Sequence, residues 1–359
     1  MVWTPLAERI GIEHPFMQAG MGGIGPMTLA PLAAAISNAG ALGTLAHPAL
    51  LLEDPGRGDV DVEGQVEAVV EQVRGGIEAA VALTDRPLAI NVRIAQEQPD
   101  AAHVIRAILD ARQADERVRR QLRVITTSGG HPRTYGMNPD IRDSGMLHFH
   151  AVSNVRQARV AEGQGVDAVI ATGFEAAGHV GHQPVHTFVL VPAIAEAVDI
   201  PVVCAGGVVD GRALAGALAL GAELGYVGTR FLAAVECDYH DNMKRFIVER
   251  AETDTEVIPA FFGPARFLRN PTTAKVAELD RTGTPHIERM KVEGAALIRG
   301  AIEGDMDDGL MIGGQGAGRI TAVLPAAEIV ARIAAEAAEA LDRVATFHRP
   351  RQAVPTAAR

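Results

Sequence analysis

The sequence predicts an α/β fold, a TIM (β/α)8 barrel with a C-terminal helical appendage, and three observations predict it. Short apolar runs alternate with amphipathic segments at helical spacing, the pattern of βα units laid into one parallel sheet. Two successive runs end in glycine, as Ala205-Gly206-Gly207 and Val227-Gly228-Thr229, where a barrel of this kind binds phosphate after its seventh and eighth strands. The chain of 359 residues suits one large barrel with an added segment.

Element by element, strand 1 is expected over 15–20 and a helix over 28–38, with Thr28 as its N-cap and Gly40 just past its end. Strand 2 covers 41–45. A long helix over 62–83 carries Val66, Val69, Val70, Val73 and Ile77 on one face. Strand 3 (87–92) leads to a helix over 101–114, and strand 4 (123–127) closes on Ser128-Gly129-Gly130. Strand 5 (146–152) is followed by a helix over 154–164, then strand 6 (168–172), strand 7 (201–205), a helix over 211–220 and strand 8 (224–228). A helix over 241–250 is expected to complete the set of eight. The barrel is thus assigned to 1–258, a helical appendage that covers the mouth and returns to the barrel to 259–345, and a flexible tail to 346–359. The turn-rich stretch 53–59 reads as a surface loop.

The residues are 48% apolar and 4% aromatic with 38 glycines, a mixture for a tightly packed α/β core with many close turns. A net charge of −11 argues against a nucleic-acid surface, which should be basic. Two cysteines are too few for a disulfide framework or a structural zinc site. Cys204 lies in an apolar run and reads as a buried strand residue, its use as a nucleophile being the lesser alternative. The first residues show no basic stretch followed by an apolar one, and no uncharged apolar stretch reaches bilayer length. The expectation is a cytoplasmic, soluble protein without membrane or nucleic-acid partners, with room for a homodimer.

The chemistry concentrates at strand ends. Gly206, Gly207, Gly228 and Thr229 are phosphate candidates, because glycine lets backbone N–H groups approach an anion closely. Ala19-Gly20-Met21-Gly22-Gly23 follows strand 1, where a flat ring can lie against backbone and sulfur. Asn91, at the end of strand 3, offers both a donor and an acceptor to a heteroaromatic edge. His179, in Gly173-Phe174-Glu175-Ala176-Ala177-Gly178-His179, sits where barrel enzymes carry catalytic groups and could exchange a proton with an acidic carbon. His179, His182 and His186 also invite a metal reading, but no carboxylate or thiolate completes a ligand set, so no metal is expected. Glu175 is expected to orient the loop. Ser128 lines the same mouth without the surroundings of a hydrolytic nucleophile, and Gln315, in Gly313-Gly314-Gln315-Gly316, could fold back over the pocket.

With these motifs in hand, the chain resembles the nitronate monooxygenases, formerly called 2-nitropropane dioxygenases. It is similar as well to the flavin-dependent enoyl-acyl-carrier-protein reductases and NADH:quinone reductases. The resemblance runs over 15–320 and rests on the Gly173–His179 stretch, Ala205-Gly206-Gly207, Gly228-Thr229-Arg230-Phe231, Gly314-Gln315 and Pro15-Phe16-Met17-Gln18-Ala19-Gly20-Met21. It implies FMN held non-covalently by Ala19, Gly20, Met21, Asn91, Ser128, Ala151, Gly178, Ala205, Gly206, Gly207, Gly228 and Thr229, with Gln315 approaching the ring and His179 as the catalytic histidine. The implied reaction is oxidation of an alkyl nitronate with molecular oxygen to a carbonyl compound and nitrite. The alternative is NAD(P)H-dependent reduction of an enoyl thioester or a quinone. Three departures bear on the substrate. Ala151 stands where some quinone-reductase-like members carry lysine, the opening loop lacks the Ala-Pro-Met common in nitronate enzymes, and His131-Pro132-Arg133-Thr134-Tyr135-Gly136 is bulky for a small pocket.

Overall fold

A computed structural model describes residues 2–22, 24, 27–48, 62–95, 100–131, 138–260 and 262–347. The expected loop at 53–59, most of the bulky stretch 131–136 and the tail beyond 347 lie outside the described residues.

Eight parallel strands form the sheet: β1 (Phe16–Gln18), β2 (Gly43–Leu45), β3 (Leu88–Arg93), β4 (Leu122–Ser128), β5 (Leu147–Val152), β6 (Ala168–Thr172), β7 (Val202–Ala205) and β8 (Leu224–Val227). All eight fall where apolar runs predict them. The order runs β1-β8-β7-β6-β5-β4-β3-β2. A parallel bridge from Met17 to Leu42 joins the two ends of that order and closes the ring.

The barrel interior is packed rather than hollow, as side-chain layers of such barrels require. Met17, Leu42, Ala89, Val124, Phe149, Ile170, Val203 and Leu224 fill it. A helix absent from the sequence reading, α1 (Pro5–Ile10), adds Leu6, Ala7 and Ile10 to the same cluster. Thr4 caps it, with Oγ1 accepting from Ala7 N at 3.3 Å, and Leu6 N donates to Glu223 Oε2 at 2.7 Å.

Outside the sheet lie α2 (Ala30–Asn38), α3 (Val62–Leu83), α4 (Ala101–Ala114), α5 (Glu116–Gln121), α6 (Asn138–Asp143), α7 (Val155–Gly163), α8 (Thr187–Ala195) and α9 (Gly211–Ala219). Thr28 does not cap α2. Leu29 holds that place at φ +57°, kept in the left-handed region by a fully buried side chain, and Thr28 O accepts from Ala46 N. The short α10 (Thr229–Leu232) follows β8, and α11 (Asp241–Val248) follows that. The expected eighth barrel helix at 241–250 is not the one that completes the layer. That place belongs to α14 (Ala326–Ala345), which packs on both α9 and α2. Its approach to α9 is so close that a Cβ at Gly211 would lie 2.3 Å from Ala337 N. Helical periodicity marks Ile329, Val330, Ile333 and Ala337 as one face but does not name the surface that face meets.

The segment after the barrel is not helical alone. Besides α12 (Pro271–Arg281) and α13 (His286–Ile298) it holds an antiparallel hairpin, β9 (Thr255–Ala260) and β10 (Gly263–Leu268), and β9 crosses the expected boundary at 258. Prolines inside both runs argue against strands on sequence grounds; here Pro259 and Pro264 face each other beside the turn. Met311–Ile312 pairs with β10, and so does Gly178–His179 from the barrel. None of the helices among the described residues is long and apolar enough to cross a membrane.

A buried polar trio joins β4 and β5. Thr127 Oγ1 bonds His148 Nε2 at 2.7 Å and His150 Nδ1 at 2.8 Å. Burial lowers His148 to about 4; burial, with His148 itself contributing, lowers His150 to about 3. Both rings are neutral in the fold, so the unfolded chain binds more protons between about pH 6.5 and the folded values. Stability is therefore complete above about pH 6.5 and falls as pH drops, by about 3 kcal/mol for His148 alone once pH reaches 4. Urea midpoints should fall steadily from pH 7 to 4.5. Thr127→Val, which strands two buried ring nitrogens, should cost about 1–3 kcal/mol at pH 7.

Candidate active site

The loops after β1, β6, β7 and β8 and the ends of β3, β4 and β5 converge on a cavity of about 230 Å3 at the C-terminal mouth of the barrel. Ala19, Gly20 and Met21 reach it from β1, Asn91 from β3, Ser128 from β4 and Ala151 from β5. Gly178 and His179 come from the loop after β6, Ala205, Gly206 and Gly207 from β7, and Gly228 and Thr229 from β8. Residues more than two hundred positions apart are thereby brought together as the motifs predict. Gln315 departs from its expectation. Its neighbours Gly314 and Gly316 line the cavity while Gln315 itself does not, and its N–H donates to Glu175 O at 3.1 Å.

One end of the cavity is built from backbone. Gly206 and Gly207 adopt φ +105° and +75°, conformations that other residues rarely reach. Asp210 caps α9 just beyond them through Ala213 N at 2.9 Å, and Gly228-Thr229 opens α10 beside them. The Gly206-Gly207 turn and the Gly228-Thr229 start of α10 make a backbone cradle suited to a phosphate. Thr229 Oγ1 accepts from Gly314 N at 3.0 Å, so the appendage closes over this end.

The floor is polar. Asn91 Nδ2 donates to Thr126 Oγ1 at 3.0 Å, Tyr226 bonds Thr126, and Gly20 N donates to Tyr226 Oη at 2.8 Å. Tyr239 Oη donates to Met21 O at 2.7 Å and so fixes the opening loop.

His179 lines the same cavity as the cradle. Its backbone pairs with Ala265 of β10, and its ring meets Phe262 edge-on at 5.8 Å. His179 is exposed by area, and it lines the cavity. Burial, aided by the Arg93 charge, lowers the imidazole to about 4 and keeps it neutral at pH 7. Glu175 holds the loop: its carboxylate accepts from Thr187 N at 3.1 Å and pairs with His186 Nδ1 at 3.3 Å. His182 is exposed, and among the described residues no three His, Cys, Asp or Glu side chains converge as a metal site would require. Cys204 is fully buried with its thiol pushed up to about 12, which rules out the nucleophile reading.

A family model for nitronate monooxygenases matches residues 4–336. The chain belongs to the nitronate monooxygenase family. It is an oxidoreductase, and its relatives are diverse. It is 28% identical over 394 residues to a nitronate monooxygenase of Paraburkholderia phytofirmans, covering 95% of this chain and 97% of that protein. It is 33% identical over 282 residues to the (3aS,4S,5R,7aS)-5-hydroxy-7a-methyl-1-oxo-octahydro-1H-indene-4-carboxyl-CoA dehydrogenase of Rhodococcus jostii, covering 78% of this chain and 69% of that protein. The fold matches that of FabK from Thermotoga maritima with a TM-score of 0.81 and 32% identity, over 97% of this chain and all of the other.

Arg93, Tyr226 and Tyr239 are among the side chains that line this family member's cavity and escaped the sequence reading. Strand alternation puts Arg93 on the same face as Asn91, a signal that was available. Arg93 donates to His47 O at 3.0 Å and Pro48 O at 2.9 Å, and its N–H donates to His47 Nδ1 at 3.2 Å. His47 Nε2 lies 3.0 Å from Asp100 Oδ2 with both groups fully buried. Burial lowers His47, with Arg93 acting the same way. Burial would raise Asp100, but its hydrogen bond to His47 and the nearby charges hold it below its ordinary value. The pair is therefore a neutral imidazole donating to a carboxylate. An NMR titration should find the His179 ring protonating near pH 4 rather than 6.5. Arg93→Gln should move that midpoint upward, because removing the neighbouring cation favours the protonated ring.

Proposed function

We propose that this chain is an FMN-dependent nitronate monooxygenase, oxidising alkyl nitronates with molecular oxygen to a carbonyl compound and nitrite. The observation that carries the reading is a neutral histidine, His179, facing a cavity whose far end is a glycine-built anion cradle. The residues fit FMN. Gly206-Gly207 and Gly228-Thr229 would hold its phosphate, a Cβ at Gly206 would come within 2.9 Å of Thr187 Oγ1, and Met21, Asn91 and the Gly178 backbone would border its ring. Ala19, Gly20, Ser128, Ala151 and Ala205 would complete the walls, and Gln315 would act through the turn it begins.

When bound, FMN supplies the electron acceptor that the side chains lack. The side chains supply the rest. A neutral imidazole accepts a proton from a carbon beside a nitro group, or donates its ring N–H to a nitronate oxygen. Arg93 adds a positive charge to the same cavity, which favours an anionic nitronate. The enzyme is read as cytoplasmic, and self-association as a homodimer fits the reading.

A second reading, NAD(P)H-dependent reduction of an enoyl thioester or quinone, is favoured by the likeness to a carboxyl-CoA dehydrogenase. Anaerobic mixing separates the two. Propionate 3-nitronate should bleach the flavin rapidly while NADH and NADPH do so slowly; the reverse result would make the enzyme a reductase. His179→Asn should retain flavin and lose about 10²–10⁴ in turnover, the usual span for general acid–base catalysis. An unaltered rate would remove His179 from the chemistry.

A further inference from the structure

Val209 lines a second cavity as well as the first, on the outer side of the β7 loop. This cleft of about 520 Å3 lies between the start of α9, the turn Gln315–Arg319 and α14. Five arginines line it: Arg212, Arg230, Arg319, Arg332 and Arg343. That is an unusual concentration in a chain of net charge −11.

Three carboxylates also line the cleft, Asp210, Glu336 and Glu339. Asp210 caps Ala213 and pairs with Arg319. Glu336 accepts from Gly211 N at 3.0 Å, and Glu328, beside the cleft, takes Arg332. Arg230 is the deciding residue. It is only 8% exposed, and its Nη2 donates to Ala233 O at 3.0 Å and Ala322 O at 2.7 Å. Its Nε is buried with no hydrogen-bond partner, and among the described residues it has no carboxylate partner. Burial, with Arg332 adding repulsion, lowers its pKa to about 10. A buried cation without a counter-ion is unfavourable unless something else supplies the negative charge. Guanidinium forks match phosphate oxygens in geometry, and several acting together favour a multiply charged anion.

We propose that this cleft binds an oligophosphate, of the pyrophosphate or nucleoside diphosphate class, at a site separate from the barrel-mouth cavity. The site does not depend on which reaction the barrel mouth performs.

Calorimetric titration of the protein as purified, flavin included, in phosphate-free buffer of low ionic strength tests it, with sodium pyrophosphate and ADP as probes. Saturable binding of one anion per chain is expected. Arg212→Gln/Arg332→Gln, which alters two exposed side chains, should weaken it by about tenfold or more, and Arg230→Gln should abolish it. ADP binding more tightly than pyrophosphate would identify a nucleotide as the ligand class; equal affinities would identify the bare oligophosphate. Absence of saturable binding at millimolar probe, or an affinity unchanged in the double variant, would overturn the proposal. So would release of flavin during the titration, which would put the anion at Gly206-Gly207 instead.

Discussion

Because β1 pairs in parallel with β8, through Phe16↔Gly225, Met17↔Tyr226 and Gln18↔Val227, every strand of the sheet ends at the same mouth. That pairing lets Gly20 N meet Tyr226 Oη although the two residues lie far apart in the chain. It also sets β8 and its Gly228-Thr229 corner beside the Met21 loop. The β1–β8 ladder is only three residues long, and packing supports it. Phe16 and Met17 are fully buried on opposite sides of β1, one against the helices and one inside the barrel, and α1 fills the barrel from below. Complete burial of such side chains contributes about 1.5–3 kcal/mol each, comparable with what the hydrogen bonds of a three-residue ladder supply at about 0.5–1.5 kcal/mol each.

The appendage is part of the site rather than an ornament on it. Gly178–His179 pairs with β10, Arg266 of β10 donates to Phe174 O at 2.9 Å, and Gln315 N donates to Glu175 O. Three points of the histidine loop are thus tied to the segment after the barrel. A loop that must present one imidazole at a fixed place loses conformational freedom, and these contacts hold it there before any ligand arrives. Preorganised groups need no rearrangement as charge develops during a reaction.

What was legible in the sequence follows from what is local. All eight strands showed themselves because each is a short apolar run, and twelve residues nominated for the cofactor line the cavity because βα motifs place strand ends at one rim. What stayed hidden depends on distant partners. A six-residue α1 has too little periodicity to be seen, α14 declares its face but not its neighbour, and β9 and β10 carry prolines that only a hairpin turn accommodates. Gln315 shared a glycine-rich stretch with residues that do reach the cavity, and the tight turn it begins sends it elsewhere. Arg93 was readable by alternation from Asn91, but its bonds to His47 and Pro48 carbonyls were not.

Those bonds belong to a wider habit of this chain. Arg93, Arg112, Arg230 and Arg266 each donate to backbone carbonyls: His47 and Pro48; Arg119, Leu122 and Ser144; Ala233 and Ala322; Phe174. A carbonyl satisfies a guanidinium N–H without cancelling its charge, whereas a carboxylate would do both. The molecule therefore carries a net excess of acid while keeping positive charge inside, with Arg93 and Arg230 beside its two cavities. Asp100 offsets part of that charge at Arg93, yet the balance still lowers His179. The same arrangement that ties loops together thus biases the interior toward neutral bases and anionic ligands, which is the electrostatic condition that proton transfer from carbon and phosphate binding both require.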